Sequence, residues 1–198
     1  MIAKRLFDLT FSFVGLVLLL PLFLFLAVLI KRDSPGKVFF RQTRVGRNGE
    51  LFRIHKFRTM NERPSTGGIQ LTVGDDPRIT KTGAWLRKYK VDELPQLIDV
   101  LRGKMSLVGP RPEVPEYVEH YPQQARELVL SVRPGITDDT SIMYLDENEV
   151  LAGSDDPERD YIEKILPVKL GHYQEYVQSR TLAGDILILL RTMVAIFR

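Results

Sequence analysis

Two neighbouring carboxylates, Asp92 and Glu93, are the residues of this sequence best suited to chemistry. They stand directly before a short apolar segment that we predict to be a helix, because it begins with Pro95 and stops at Gly103. The pair would then lie at the positive end of that helix. Adjacent residues do not share a helix face, so we expect one carboxylate to point at a substrate and the other at a metal or a proton. The alternative is an acidic helix cap without catalytic function.

A carboxylate pair in this position can support two kinds of chemistry. One ionised carboxylate can attack phosphorus and form an acyl phosphate, which divides a difficult group transfer into two easier steps. Mg²⁺ prefers oxygen ligands and is often held by one or two carboxylates together with substrate phosphates. Asp92 and Glu93 are therefore candidate catalytic residues and candidate ligands of Mg²⁺, beside the alternative of an acidic cap.

Four basic residues are candidate substrate-binding side chains. Lys56 and Arg58 occupy alternate positions of a predicted extended segment, so both could face one cleft. Arg87 precedes the acidic pair by five residues, and Arg111 has a proline on either side, which restricts its backbone. We expect these cations to hold the phosphates of a nucleotide substrate. For each of them a surface ion pair is the alternative.

Five sequence blocks contain or flank these residues in a fixed order that extends over nearly the whole chain. The blocks are residues 56–60 (KFRTM), 82–87 (TGAWLR), 92–97 (DELPQL), 105–112 (MSLVGPRP) and 133–137 (RPGIT). In this order they resemble the bacterial sugar transferase family, the monotopic polyprenyl-phosphate phosphoglycosyl transferases, in the small form that has the catalytic domain alone.

The resemblance implies an enzyme that moves a phosphosugar from a UDP-sugar to a polyprenyl (undecaprenyl) phosphate, in the first membrane step of glycoconjugate assembly. It makes Asp92 the nucleophile of a covalent aspartyl-phosphosugar intermediate formed with release of UMP. Glu93 would bind the cation or manage a proton. The alternative is a membrane-anchored scaffold protein that has kept this fold and lost the chemistry, against which the retained acidic pair argues.

The chain departs from the commoner family pattern at three places. Val91 and Asp99 stand beside the acidic motif and leave its chemistry unaffected. Asp138 and Asp139 follow the RPGIT block, in a region that we expect to shape the sugar pocket. The resemblance therefore does not give the identity of the sugar.

The N-terminal segment predicts attachment to a membrane. Residues 11–30 form an uncharged apolar run of about 20 residues, enough helix to match a bilayer core. Pro21 interrupts this run, and basic pairs at residues 4–5 and 31–32 draw both ends toward the cytoplasm. We therefore predict a re-entrant membrane helix over residues 1–33, which the resemblance also implies, in the inner membrane. A single kinked span is the alternative, and Leu20 stands where the family often has serine before the proline.

The remaining residues, 34–198, are predicted to form one catalytic domain of the α+β class on the cytoplasmic face. Segments 37–42 and 51–57 flank an Asn48-Gly49 turn and indicate a β-hairpin. We expect a loop over 61–74 with an extended piece at 69–73, a helix capped by Thr82, a helix over 113–130, a loop over 131–140 and helical structure over 156–180 with a break at Pro167. Residues 181–198 predict an amphipathic helix at the membrane interface, with a terminal core helix as the alternative.

Composition limits the classes of protein and of partner. A length of 198 residues with 44% hydrophobic content suits one domain with an appendage. The chain has no cysteine, and its three histidines are not clustered, so neither disulfides nor a structural zinc site are expected. A net charge of +3 suits an anionic partner such as phosphate or anionic lipid. We expect no nucleic-acid partner, because no binding motif accompanies the basic residues; the sequence leaves open whether the chain forms a homo-oligomer.

Overall fold

The computed structural model describes residues 2–61, 76–140, 151 and 153–196. The elements, in chain order, are α1 Ile2–Asp33, β1 Phe39–Val45, β2 Leu51–Phe57, α2 Lys81–Lys88, a 3₁₀ turn Val91–Gln96, α3 Leu97–Leu101, β3 Ser106–Val108, α4 Pro115–Val118, α5 Gln123–Val129, β4 Gly135–Thr137, α6 Pro157–Asp160, a π turn Tyr161–Ile165, α7 Leu166–Ser179 and α8 Leu182–Ile196. The α+β class and the mostly helical content are as predicted. The extended piece predicted at 69–73 lies outside the described residues.

Helix α1 has one face against the domain and one apolar face outside. Asp8, Ser12, Phe23, Leu26 and Ile30 are buried at intervals close to the helical repeat. Most exposed side chains of α1 are large and apolar, including Ile2, Leu6, Phe13, Leu18 and Leu24. By length and composition α1 could cross a membrane, and it is the only described helix of which this is true. The helix continues through Pro21 without interruption, so the predicted break there is not confirmed.

Both ends of α1 are fastened to the same domain. In the first two turns, Lys4 Nζ lies 2.5 Å from Asp185 Oδ2 at the start of α8, and Asp8 Oδ2 accepts from Ser106 Oγ of β3 at 2.8 Å. In the last turn, backbone carbonyls accept from the guanidinium of Arg58. A helix of 32 residues is about 48 Å long, so α1 lies along the domain over its whole length.

Strands β1 and β2 form the predicted antiparallel hairpin, paired from Phe39–Phe57 to Val45–Leu51. Asn48 and Gly49 both have positive φ, of 57° and 79°, which confirms the turn expected at these residues. Behind the hairpin, the buried Asp99 carboxylate accepts from the backbone N–H of His55 at 2.8 Å and lies 2.6 Å from its ring Nδ1. This contact joins β2 to α3 and fixes the strand relative to the acidic motif.

The helix at the acidic motif begins earlier than predicted. Lys90 adopts a left-handed conformation with φ of 53°, and the 3₁₀ turn starts immediately after it and runs without a gap into α3. Asp92 and Glu93 therefore lie inside the first turn, not before it. Pro95 lies inside the 3₁₀ turn, where it removes one backbone donor. The predicted stop at Gly103, with φ of 79°, is confirmed.

Three other predictions of local structure are corrected. The cap of α2 is Thr80, whose hydroxyl accepts from Gly83 N at 3.0 Å, and not Thr82. The helix predicted over 113–130 is divided into α4 and α5 at Pro122, which lacks an N–H and disfavours helical backbone before it. The loop predicted over 131–140 contains β4, which pairs in parallel with β3. A Cβ on Gly135 would lie 2.1 Å from Gly109 N, so only glycine permits this approach.

The C-terminal part is helical as predicted, and its geometry changes near Pro167. A π turn precedes α7, and Pro167 occupies the first turn of that helix, where a missing N–H costs little. In α8, Asp185 and Ile188 are buried, whereas Leu187, Leu190 and Val194 are exposed and apolar. Thus α8, like α1, covers the domain with one face and presents apolar side chains on the other.

Candidate active site

Asp92 is a buried carboxylate without a hydrogen-bond donor among the described residues, and its side chain lies in the first 3₁₀ turn. The residue is only 8% exposed. Burial is the larger cause that raises the pKa of Asp92 from 3.8 to about 6, and the negative charge of Glu93 is the second. The positive charges of Lys56 and Arg87 lower this pKa and offset part of the rise. The carboxylate is therefore ionised at neutral pH but is largely shielded from water, and none of the described residues donates a hydrogen bond to it.

Glu93 is in the opposite situation, because two cations hold it. Lys56 Nζ donates to Glu93 Oε1 at 2.8 Å. Arg111 donates through Nη1 to Oε2 at 3.0 Å and through Nη2 to Oε1, which is the bidentate geometry of arginine with a carboxylate. Burial alone would raise the pKa of Glu93, but the charges of Arg111 and Lys56 hold it well below its ordinary value. The two adjacent carboxyl groups therefore have pKa values displaced in opposite directions.

Lys56 and Arg111 come from different elements and meet at Glu93. Lys56 is near the end of β2, and Arg111 follows β3 in a segment stiffened by prolines on both sides. Burial lowers the pKa of Lys56, whereas the charge of Glu93 raises that of Arg111 well above its ordinary value. The structure thus brings together two of the four predicted cations. A third, Arg87 at the end of α2, acts on Asp92 through its charge.

Arg58 does not join this cluster. It is 4% exposed, and its guanidinium donates to the carbonyls of Ser34 at 2.7 Å, of Ile30 at 3.3 Å and of Pro35. The prediction assumed that the extended segment continues through residue 58, but β2 ends at Phe57. The alternation of side chains that would place Arg58 beside Lys56 is therefore lost, and Arg58 caps the C-terminal end of α1.

We expect Arg58→Gln to lower protein stability and to leave binding of a nucleotide substrate nearly unchanged. The substitution removes charged donors from buried carbonyls, which costs about 2–3 kcal/mol. Thermal unfolding in detergent and titration with a nucleotide would measure the two effects. Arg32→Gln is the matched control, because Arg32 is exposed at the same end of α1. Weaker nucleotide binding at an unchanged unfolding temperature would contradict the structural assignment.

A second buried cluster behind Arg111 was missed by the sequence reasoning. Tyr161 donates to Glu113 Oε1 at 2.7 Å, while Arg44 donates to the Pro112 carbonyl at 3.1 Å and lies 3.6 Å from the Glu113 carboxylate. These contacts hold the backbone on the C-terminal side of Arg111. The signal in the sequence is the position of Glu113, directly after the two prolines that end the MSLVGPRP block.

Asp138 is also close to this region. It is buried, and its negative charge acts on Arg111 and on Tyr173 of α7. Burial is the main cause that raises the pKa of Tyr173 well above its ordinary value, and the negative charge of Asp138 is the second. Asp138 is one of the positions at which the sequence departs from the pattern that it resembles. It acts through its charge on Arg111, whose guanidinium binds Glu93.

The acidic pair can accommodate a magnesium ion. Among the described residues no group of three or more His, Cys, Asp or Glu side chains is present, so any ion here would rely on few protein ligands. A carboxylate offers about four lone-pair positions, of which Lys56 and Arg111 use three on Glu93. One position on Glu93 Oε2 and the carboxylate of Asp92 remain. Together with water and substrate phosphate they are the oxygen donors that Mg²⁺ accepts.

The sequence is similar to that of known proteins of one family. The profile of the family described as Bacterial sugar transferase matches residues 1–198. A UDP-N-acetylgalactosamine-undecaprenyl-phosphate N-acetylgalactosaminephosphotransferase of Aeromonas hydrophila is 36% identical over 192 residues, 96% of this chain and 42% of the relative. The exopolysaccharide production protein PSS of Rhizobium leguminosarum bv. phaseoli is 51% identical over 112 residues, 56% of each protein. Exopolysaccharide production protein ExoY of Rhizobium meliloti is 35% identical over 213 positions, 98% of this chain and 85% of the relative.

The chain spans about half the length of the first two of these relatives, and most of the length of the third. The profile match covers every block that suggested the resemblance, including the acidic motif and the segment around Arg111. The chain belongs to the bacterial sugar transferase family.

Proposed function

We propose that the protein is a polyprenyl-phosphate phosphoglycosyl transferase, which moves a phosphosugar from a UDP-sugar to undecaprenyl phosphate. The observation that carries the proposal is the contrast within the acidic pair. Asp92 is buried without a hydrogen-bond donor from the part of the chain that the structure describes, and Glu93 is held by Lys56 and Arg111. The name of the Aeromonas relative, with its UDP-sugar and undecaprenyl phosphate, supports the substrate classes. The sugar is left open, because Asp138 departs from the common pattern beside Arg111.

In the first step, an oxygen of the Asp92 carboxylate attacks the phosphorus that bears the sugar. The new bond joins that oxygen to phosphorus, and the bond from phosphorus to the oxygen bridging the two phosphates breaks. The bridging oxygen leaves with UMP and takes the electron pair. The product on the protein is an acyl phosphate that carries the sugar. The absence of a hydrogen-bond donor to Asp92 among the described residues leaves both of its oxygens available for attack.

In the second step, a phosphate oxygen of undecaprenyl phosphate attacks the same phosphorus. The bond between phosphorus and the Asp92 oxygen breaks, which restores the carboxylate and gives undecaprenyl-diphosphate-sugar. Both attacking groups are anions, so neither step requires a general base. What the site must supply is positive charge, and Arg87, Lys56 and Arg111 are placed to supply it.

Bound Mg²⁺ would neutralise negative charge that develops on the diphosphate. Asp92 and the remaining lone pair of Glu93 Oε2 are the protein groups that would hold it. Lys56 and Arg111 keep Glu93 ionised over the whole neutral range, because they hold its pKa well below the ordinary value. The role of these two cations is therefore also to keep a ligand oxygen unprotonated.

We further propose a monotopic placement in the inner membrane with the catalytic domain on the cytoplasmic face. The first and last turns of α1 are bound to one domain, so a perpendicular span with the ends on opposite sides of a bilayer would pull one of them away. The exposed apolar faces of α1 and α8 supply surface for lipid contact. Attachment of both ends supports a monotopic α1 over a kinked span, and the exposed apolar face of α8 supports an interfacial helix over a terminal core helix. The re-entrant break at Pro21 stays a prediction.

The test of the proposed function is to incubate the protein in nanodiscs with a panel of UDP-sugars, Mg²⁺ and undecaprenyl phosphate, and to measure UMP and lipid-linked product. We expect turnover with one or few sugars, and a loss of at least about 100-fold when a chelator removes the divalent cation. Adding back Mg²⁺ in excess should restore the rate, which controls for damage by the chelator. A protein that binds UDP-sugars but never releases UMP would be the scaffold protein, and undiminished turnover in excess chelator would remove the metal from the reaction.

A further inference from the structure

A polar cavity lies away from the Asp92 site, at the N-terminal end of α1. Its volume is about 140 Å³, well above the roughly 10–15 Å³ that a single water molecule requires. Its charged lining consists of five basic side chains and one carboxylate: Lys4, Arg5, Arg47, Arg133, Arg180 and Asp8. None of these residues takes part in the reaction proposed above.

The positive charge of this cavity is poorly compensated. Lys4 pairs with Asp185, and Asp8 is already occupied by Ser106 Oγ at 2.8 Å and Leu107 N at 3.2 Å. Within the described part of the chain, the four arginines of the lining make no ion pair. Arg5 and Arg133 are close enough that the charge of Arg133, after burial, lowers the pKa of Arg5. Like charges held together in this way favour an anion between them.

Three of the four arginines are anchored by hydrogen bonds to backbone carbonyls and still have donors to offer. Arg5 donates to the carbonyl of Val100 at 2.8 Å and to that of Met105 at 3.3 Å. Arg133 donates through Nε to the Gly103 carbonyl at 2.8 Å, and Arg47 donates through Nε to the Ser131 carbonyl at 3.1 Å. The terminal nitrogens of the last two have no recorded partner among the described residues. A guanidinium anchored through Nε presents a planar fork that matches the oxygens of a phosphate group.

The position of the cavity indicates where the phosphate comes from. Lys4 and Arg5 lie in the first turn of α1, whose outward residues Ile2 and Leu6 are 90% and 66% exposed. Arg180 lies two residues before the start of α8, whose outer face is also apolar. The cavity therefore opens where two lipid-facing helices begin, at the depth at which headgroups lie when those helices contact acyl chains.

We propose that this cavity binds a phosphate group at the membrane surface, as carried by an anionic lipid headgroup. The same donors would accept free phosphate, so the experiment has to separate the two sources. The proposal concerns binding alone and does not depend on the transfer reaction, because the cavity shares no residue with the Asp92 cluster.

The test is native mass spectrometry of the protein released from neutral detergent micelles doped with phosphatidylglycerol, phosphatidylcholine or no phospholipid, with inorganic phosphate as a separate arm. The variants are Arg180→Gln, Arg47→Gln and the double variant. Arg126→Gln, an exposed arginine on α5, is the matched control. The series is repeated in an Arg111→Gln background, so that phosphate in the proposed active site does not contribute.

We expect one saturable phosphatidylglycerol site, which Arg126→Gln leaves unchanged and each cavity variant weakens about tenfold, the loss of one charge-assisted hydrogen bond. Phosphatidylcholine, which carries a compensating positive charge, should bind more weakly. Displacement of the lipid by millimolar inorganic phosphate would support the phosphate site and assign it to the free ion. Equal lipid and phosphate binding by the double variant and Arg126→Gln would overturn the proposal.

Discussion

Asp92→Asn is expected to reduce formation of UMP and lipid product by about 10⁴-fold or more and, at the same time, to raise the thermal stability of the protein. The amide keeps the shape of the side chain but is a far poorer nucleophile, and loss of an attacking group typically costs this much. With the unsubstituted protein, a UDP-sugar supplied without lipid acceptor should release at most one equivalent of UMP. The phosphosugar should remain on the chain, where intact mass and peptide mapping would detect it at Asp92.

The stability gain follows from the pKa of Asp92, which is raised from 3.8 to about 6 in the folded protein by burial and by the charge of Glu93. The folded state therefore binds this proton more tightly than the unfolded chain does, and the group costs stability as pH rises from about 4 through 6. A displacement of roughly two pKa units corresponds to about 3 kcal/mol at pH 7.5. Asparagine carries no charge, so Asp92→Asn should unfold at a higher temperature at pH 7.5, with the difference vanishing near pH 4.

Glu116→Gln is the control for this pair of measurements, because Glu116 is an exposed carboxylate on α4 and its substitution should change neither quantity. Two results would contradict the assignment. If UMP release requires undecaprenyl phosphate and no adduct forms, the lipid phosphate attacks directly and Asp92 serves as a metal ligand. If Asp92→Asn loses activity together with several degrees of thermal stability, the carboxylate has a structural function.

The parts of the site that the sequence predicted are those determined by local patterns. Lys56 lies within a strand with a recognisable turn, so its direction follows from alternation along β2. Arg111 lies between two prolines, which leave its backbone few conformations. The hairpin, the end of the motif helix at Gly103 and the change of geometry near Pro167 depend on glycine, asparagine and proline, whose preferences are strong enough to be read without knowledge of tertiary contacts.

The parts that the sequence did not predict depend on distant segments. Arg58 faces the end of α1, and β2 stops one residue before it. The backbone carbonyls at that helix end, which lie about 25 residues earlier in the chain, need hydrogen-bond donors, and Arg58 supplies them. Strand β4 has only three residues and exists through its pairing with β3, so no pattern within 131–140 reveals it. Lys90 adopts a left-handed conformation with no glycine to signal it, which moved the start of the helix ahead of Asp92. Tertiary packing determined each of these features.

Glu93→Gln is expected to produce the second largest effect, a fall in turnover of about 100- to 1,000-fold together with a shift of the pH profile. The substitution removes the anion that orients Lys56 and Arg111, so the phosphates of the donor meet cations with more freedom. It also removes the charge that, after burial, raises the pKa of Asp92. In the unsubstituted protein, the rate of UMP release should fall as the pH drops through about 6, because Asp92 then becomes protonated. This fall is the acid limb of the pH profile. In Glu93→Gln that limb should move to lower pH, because the neighbouring negative charge is removed.

Stability and a double-variant cycle separate this explanation from a general loss of structure. The pKa of Glu93 is held well below its ordinary value, so its ion pairs stabilise the fold at every pH above about 4.5 and fail only as pH falls through the depressed pKa. Glu93→Gln should therefore unfold more easily at neutral pH, by about 3–5 kcal/mol. Because Glu93 and Arg111 act through one bidentate contact, Glu93→Gln with Arg111→Gln should lose less activity than the two single effects added together. Additive losses with an unmoved acid limb would mean that Glu93 neither positions Arg111 nor influences Asp92, and that its place beside the nucleophile reflects the fold alone.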